Sequence, residues 1–531
     1  MAKTSKPTSR AKAITPAPAD AKAKPKGPRF DASLAELNAR LREIADLEGA
    51  SAMLGWDQAT YMPPGAAELR GRQSALINRL VHERMTDPEI GRLLDRLEKD
   101  QARLSESEAT RALVQVTRRD YERSLRVPSE FVVRASKHGA RSYAAWVNAR
   151  PANDFDTMAP LLEETVRLAR ERAQHLGGGA EIMDPLIDGA EPDMTARDVR
   201  ALFNALRPRL VDLVRLFADK PRLDDAVVRQ RFPAEQQIAF GLTMAERFGY
   251  DLRRGRQDRS PHPFCTTLSL GDVRITTRVR EDDLGDALYS TLHETGHAMY
   301  EQGCDPAYEG TPLAGGCSAG VHESQSRLWE NLVGRSRGFV SYALPILRKT
   351  FPRQLGRASP EAFYRAINVV QPSLIRTDAD ELTYNLHVMI RFDLECDLLE
   401  GRLQARDLPD AWRARYQSDL GVTPPDHRDG CLQDVHWYGG YMGGSFQSYT
   451  IGNILSAQFF EAAVAAHPDI PARIERGEFA ALHDWLKANV WRHGRCYKPG
   501  ELVRRATGKD MTIEPYVAYL STKYTELAAA A

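Results

Sequence analysis

From Asp31 onward, apolar residues recur at three- and four-residue spacing, the period of an amphipathic helix. The first such run, DASLAELNARLREIADLEGA, opens behind an Asp/Ser cap signal. The same period continues through GAAELRGRQSALINRLVHERM, SESEATRALVQVTRRDYERSL and DTMAPLLEETVRLARERAQHL. GGGAEIMDPLIDGAEPDMT (177–195) breaks the run as a loop, and the spacing then predicts helices near 196–218 and 233–248. Only at 265–280 does the period change to two. CTTLSL and VRITTRV are β-rich runs separated by Gly271-Asp272, the pattern of a short hairpin. Helical patterning resumes at Asp282 and is interrupted by the Gly-rich WYGGYMGGSF (437–446), which lacks the GK[ST] and the strand–turn–helix frame of a phosphate loop. The sum is a mainly α protein: one large helical domain over 30–531 with a small β-hairpin.

Residues 1–29 differ from the rest. They are Ala/Lys/Pro-rich and carry eight Lys/Arg against one acid, Asp20, with almost no large apolar side chain. Such a segment cannot bury enough surface to offset its ordering entropy, so a disordered basic tail is expected. It has no apolar core of a secretory signal, and no run of 18 apolar residues predicts a membrane span. Overall charge is balanced at 72 basic and 72 acidic residues, which gives no call for nucleic acid or a membrane surface. Six cysteines without CxxC spacing suit reduced thiols in a cytoplasm better than a disulfide framework.

Histidine is concentrated. Seven of the thirteen (His262, His293, His297, His322, His387, His427 and His436) fall between 262 and 436, beside the hairpin. Within TLHETGHAMY (291–300), His293 and His297 stand at i and i+4 on a helix capped by Asp282/Asp283, buried along Leu284, Leu288 and Leu292, and stopped by Gly303. Two imidazoles on one helical face can reach one tetrahedral Zn²⁺. Glu294, rotated by roughly 100° from them, is placed to hold a water activated by the metal and take its proton. The motif is short enough to occur by chance, and a third protein ligand is required. The metzincin continuation fails, because Tyr300 and Gly303 stand where Gly and His belong. HESQSRLWENLV (322–333) offers Glu323 for a His₂Glu set with an open fourth position, with Glu301, Glu309, His322 and Glu330 as rivals. Glu330, two turns beyond Glu323, could hold a ligand histidine by its far nitrogen.

The motifs HPF (262–264), DVRIT (272–276), HETGH (293–297), HESQSRLWEN (322–331), IRTDADELTY (375–384) and GCLQDVHW (430–437) occur in one order. LGWDQATYMPPGAAELRGRQ (54–73) and TGKDMTIEPYVAYLSTKY (507–524) flank them. In this set the chain resembles the carboxypeptidase Taq family of thermostable metallocarboxypeptidases over essentially 30–525. The resemblance implies a helical zinc-peptidase architecture with a deep substrate channel, as in neurolysin- and angiotensin-converting-enzyme-like proteins. It implies His293, His297 and Glu323 as metal ligands and Glu294 as the catalytic carboxylate, with one Zn²⁺, or Co²⁺, per chain. By similarity to helical zinc peptidases, His436 and Tyr384 are candidate donors to the oxyanion. The substrate is then a peptide with a free C-terminus, whose carboxylate calls for an arginine. Arg274 and Arg376 stand in family motifs, each with an Arg–Asp pair (to Asp272 or Asp380) as the structural alternative, and His262 is expected to shape the pocket. The strand bearing Arg274 could also pair with substrate backbone. The resemblance further implies a homodimer; the cysteine pattern, charge balance and hydropathy above add the expectation of a cytoplasmic protein with no nucleic-acid or membrane partner.

One stretch departs from the family. After His436-Trp437 this chain reads YGGYMGGSFQSYTIGN in place of an aromatic, Pro-containing segment, which predicts a looser substrate-facing loop. An endo- or oligopeptidase of the same architecture and a non-catalytic metal scaffold are the alternatives. A scaffold would need a fourth protein ligand and no general base.

Overall fold

The structure, a computed structural model, describes residues 28–217 and 220–530. Nearly all of the expected tail therefore lies outside the described residues. Helices dominate. The first runs Pro28–Thr60, and the second, Ala67–Met85, folds back along it without burying a residue. Phe30, Leu37, Leu41 and Ile44 of the first helix close with Ile90, Leu93, Leu94 and Leu97 into a small core, separate from the one that fills the rest of the molecule. The helices expected near 196–218 and 233–248 are Ala196–Arg215 and Ala234–Phe248. The stretch read as loop, 177–195, contains a seven-residue helix, Asp184–Ala190. The Asp184 carboxylate accepts from the backbone of Ala180, Glu181 and Ala196, so it ties both ends of that stretch together.

The sheet has three strands in the order β1 (Gln257–Arg259), β3 (Asp272–Thr277), β2 (Cys265–Ser269). The hairpin β2–β3 is antiparallel as expected, with Cys265 opposite Ile275 and a bulge between Thr267 and Ser269. Its loop is Leu270-Gly271, one residue earlier than the Gly-Asp reading, because Asp272 already pairs with Ser269. β1 is an addition. It pairs parallel to β3, and its three residues, Gln-Asp-Arg, carry no apolar alternation that could announce a strand. β3 is thus the central strand with both edges paired, and it cannot accept a substrate backbone; β1 and β2 are the edge strands.

Candidate metal centre

The Leu284–Gly303 helix (the HETGH helix) begins at Asp283, whose carboxylate accepts from Gly285 N at 2.9 Å. Leu284, Leu288 and Leu292 are buried along one face, as their spacing requires. Gly303 does close the helix, but not through a left-handed turn. A Cβ there would lie 2.7 Å from Trp491 Cε3, so glycine serves the packing of that ring. Thr277 of β3 seats the sheet on this helix through contacts to Thr291 Oγ1 and Ala287 O.

Glu323 arrives on the Ala319–Arg327 helix (the HESQ helix), capped by Ser318, and two glycines allow the approach. A Cβ on Gly296 would sit 2.4 Å from Gln325 O, and one on Gly452, in the Phe446–Ala466 helix, 2.4 Å from Glu323 Cγ. Three helices therefore cross at backbone distance. The result places Glu323 Oε2 3.3 Å from His297 Nε2 and 3.7 Å from His293 Nε2. The three donors lie within 4.8 Å of one another. Two imidazoles and a carboxylate, clustered and largely shielded from water, fit a divalent cation that keeps an open position.

The rivals for the third ligand take other places. Glu309 accepts from Leu270 N at the hairpin. The HESQ helix continues into a π-helical turn, Leu328–Val333, which carries Glu330 to 2.9 Å from His293 Nδ1. His322 Nδ1 lies 2.6 Å from His297 Nδ1, and His322 Nε2 lies 2.8 Å from Glu301 Oε1. Arg327 donates to Glu323 Oε1 at 2.6 Å and to Glu330 at 3.2 Å. Burial alone would raise the Glu323 pKa, but Arg327 and the two histidines outweigh it and hold the carboxylate well below its ordinary range. Glu294, on the HETGH helix beside His293, has no such partner. Burial pushes its pKa up to about 7, opposed by His293 and reinforced by Glu323.

A second cluster faces this one. Asp434 accepts from Arg376 Nε at 2.7 Å, Arg391 Nε at 2.8 Å and the His436 ring at 2.5 Å. Arg376 also donates to the Tyr384 hydroxyl at 3.2 Å, and the Tyr384 ring lies under Arg327 at 4.3 Å, which joins the two clusters. His436 and Tyr384 are thus brought together, with Arg376 between them. The Arg–Asp pair exists for Arg376, with Asp434 rather than Asp380 as partner. His262 lies within electrostatic reach of Arg376 and His436, its Nδ1 2.7 Å from Pro263 O.

Arg274 stands apart. It grips Asp272 with two bonds of 2.8 and 2.7 Å and stacks on Trp56 of the first helix at 4.4 Å, which is the structural alternative named for it. Tyr449 was missed from sequence. Its hydroxyl is 3.4 Å from His436 Nε2 and its ring 6.3 Å from Tyr384, across a 13-residue separation that no local period links to the histidine. In the Gly-rich stretch Gly439, Gly440 and Tyr441 are exposed, whereas its second glycine pair is packed. Gly443 and Gly444 adopt left-handed φ of 89° and 83°, and a Cβ on Gly444 would lie 2.4 Å from Leu186 backbone.

A family description, carboxypeptidase Taq (M32) metallopeptidase, matches residues 36–524. The chain is 42% identical over 498 residues to thermostable carboxypeptidase 1 of Thermus thermophilus, covering 92% of this chain and 97% of that one. It is 35% identical over 492 residues to carboxypeptidase 1 of Bacillus subtilis, with the same two coverages. The crystal structure of an M32 carboxypeptidase from Deinococcus radiodurans R1 superposes with a TM-score of 0.90 at 51% identity, covering 94% of this chain and 100% of that one. With a mainly helical fold, a three-donor metal cluster and these relatives, the chain belongs to the carboxypeptidase Taq (M32) family and is a metallocarboxypeptidase.

Proposed function

We propose that His293, His297 and Glu323 hold one catalytic divalent cation, zinc or cobalt, and that Glu294 is the general base for release of single residues from peptide C-termini. The observation that carries this reading is the convergence of the three donors within 4.8 Å, with the far nitrogen of each histidine already occupied by Glu330 or His322. When bound, the cation supplies Lewis acidity to water and to the scissile carbonyl. Glu294, buried on the helix that carries both histidines, takes the proton of the attacking water and returns it to the departing amine. His436, fixed at Nδ1 by Asp434, presents Nε2 toward Tyr449; with a proton on Nε2 as well, its ring joins the Tyr384 hydroxyl as a donor to the developing oxyanion.

For the terminal carboxylate, Arg376 is favoured over Arg274. Each arginine is paired with an aspartate, Arg376 with Asp434 and Arg274 with Asp272, but Arg376 sits in the His436–Tyr384 cluster with His262 in reach, whereas Arg274 stacks on Trp56 of the first helix. Free thiols at all six cysteines support a reducing, cytoplasmic setting. The reading includes a homodimer, with no nucleic-acid or membrane partner. Among the described residues no helix is long and apolar enough to cross a membrane.

The test is amino-acid release from free and doubly blocked peptides by wild type and Glu294→Gln, with metal content recorded. Sequential C-terminal release by wild type, lost in the variant while about one metal per chain stays bound, is the expected outcome. Internal cleavage of the blocked peptide points to an oligopeptidase instead. Bound metal with no release from any peptide reduces the site to a scaffold.

A further inference from the structure

The two metal-facing histidines are supported differently. His293 Nδ1 meets a carboxylate, Glu330. His297 Nδ1 meets another imidazole, His322, which in turn meets the Glu301 carboxylate. The nitrogens are 2.6 Å apart, and the two rings are stacked, with centroids 4.5 Å apart and planes 27° apart. Neutral imidazole has one donor and one acceptor nitrogen. If His297 Nε2 offers its lone pair toward Glu323 and the cation, Nδ1 must carry the proton and donate it. His322 Nδ1 must then accept, which leaves His322 Nε2 protonated and donating to Glu301 Oε1 at 2.8 Å. Every nitrogen in the chain has one role, and only one set of tautomers satisfies them all.

The His322 ring is held for this task. A Cβ on Gly316 would lie 2.8 Å from its Cδ2, so glycine there is what leaves room for the ring, and Tyr300 flanks it at 5.5 Å. Glu301 is buried.

We propose that His322, anchored by Glu301, is a positioning residue that commits His297 to the Nδ1-protonated tautomer and so aims its Nε2 lone pair at the metal. The proposal rests on His297 being a ligand. His322 was itself a rival for that place, and its chemistry is used one step back from the cation.

The test compares zinc dissociation constants, by chelator competition on the full-length chain, with the visible spectrum of the cobalt-loaded protein. His322→Leu removes the acceptor and is expected to bind zinc roughly 10- to 100-fold more weakly and to shift the cobalt bands. His322→Asn sets Oδ1 near the lost Nδ1, and it is expected to restore most of the affinity and the wild-type spectrum. That rescue is something a merely space-filling histidine would not give. Should His322→Leu fail to fold, Glu301→Met against Glu301→Gln serves instead, the first weakening zinc and the second, which keeps an acceptor oxygen, sparing it. Equal affinities in Leu and Asn variants, whether both normal or both weak, overturn the proposal. Wild-type affinity in His297→Ala overturns the ligand assignment beneath it.

Discussion

Replacing Gly452 by alanine tests whether the metal site depends on helices crossing at backbone distance. The added methyl would meet Glu323 at Cγ (2.4 Å), Cβ (2.6 Å) and its backbone carbonyl carbon (3.0 Å). Ordinary carbon contacts lie about 1 Å farther out than the first of these. Rotation of Glu323 offers no escape, because Arg327 holds Oε1 at 2.6 Å and Ser326 donates to Oε2 at 3.1 Å. The HESQ helix or the Glu323 side chain must therefore shift by about 1 Å, at a point where Oε2 is only 3.3 Å from His297 Nε2. Overpacking of this kind costs about 1–3 kcal/mol, and a catalytic group misplaced by about 1 Å loses on the order of a hundredfold in rate. The assay is thermal unfolding of chelated and zinc-loaded protein together with the zinc dissociation constant. The chelated variant should unfold earlier, and the stabilisation that zinc adds should shrink by about 1.4 kcal/mol for each tenfold loss of affinity at saturating metal. Unchanged unfolding temperature and unchanged zinc affinity would refute the reasoning, since a methyl that fits there means the helices do not touch as described.

Gly55, in the exposed part of the Pro28–Thr60 helix, has nothing within 4 Å of an added Cβ, so Gly55→Ala should raise stability by about 0.5–1 kcal/mol in denaturant unfolding and leave peptide hydrolysis unaltered. Glu395 is buried, accepts from Trp437 Nε1 at 2.8 Å and leaves Oε2 without a partner; burial pushes its pKa up to about 7. A pKa raised on folding contributes stability that is present below the unfolded value near 4.5 and lost as pH rises through 7. Glu395→Gln should remove that slope and gain on wild type by on the order of 3 kcal/mol between pH 4.5 and 8, and parallel stability profiles for the two proteins would contradict it. Asp434→Asn keeps the shape but leaves the buried guanidinium groups of Arg376 and Arg391 without their carboxylate; a loss of about 3–5 kcal/mol is expected in the unfolding free energy.

What the sequence made legible is what local period and spacing encode. The long helices follow from three- and four-residue apolar repeats, and the Ala234–Phe248 helix falls within a residue of its expected bounds. The hairpin follows from the change of period at Cys265. β1 was invisible because three polar residues gain strand geometry only from the neighbours they pair with, here Ile275, Thr276 and Thr277. The π-helical turn at Leu328–Val333 likewise has no signature in LWENLV, which reads as ordinary helix. The separate N-terminal core escaped notice for a related reason, since amphipathic helices of both cores have the same period and the pattern does not say which faces meet.

The site divides along the same line. HETGH announces its pair of histidines because one helix carries both, and Glu330 could be placed beside Glu323 by counting turns. Which residue supports which histidine depends on how the HESQ helix crosses the HETGH helix, and that crossing is set by Gly296 and Gly452, whose role is to lack a side chain. A ranking by residue type therefore sees five possible third ligands, His322, Glu301, Glu309, Glu323 and Glu330, and has no means to sort them. The crossing sorts them: Glu323 comes within 3.3 Å of His297 Nε2, while Glu330 and His322 meet Nδ1 of the two rings from the other side. Metal chemistry needs the two nitrogens of each imidazole to face different partners. Four of the five competitors, all but Glu309 at the hairpin, are for that reason parts of one arrangement, and a glycine changed at either crossing should disturb ligand and support together.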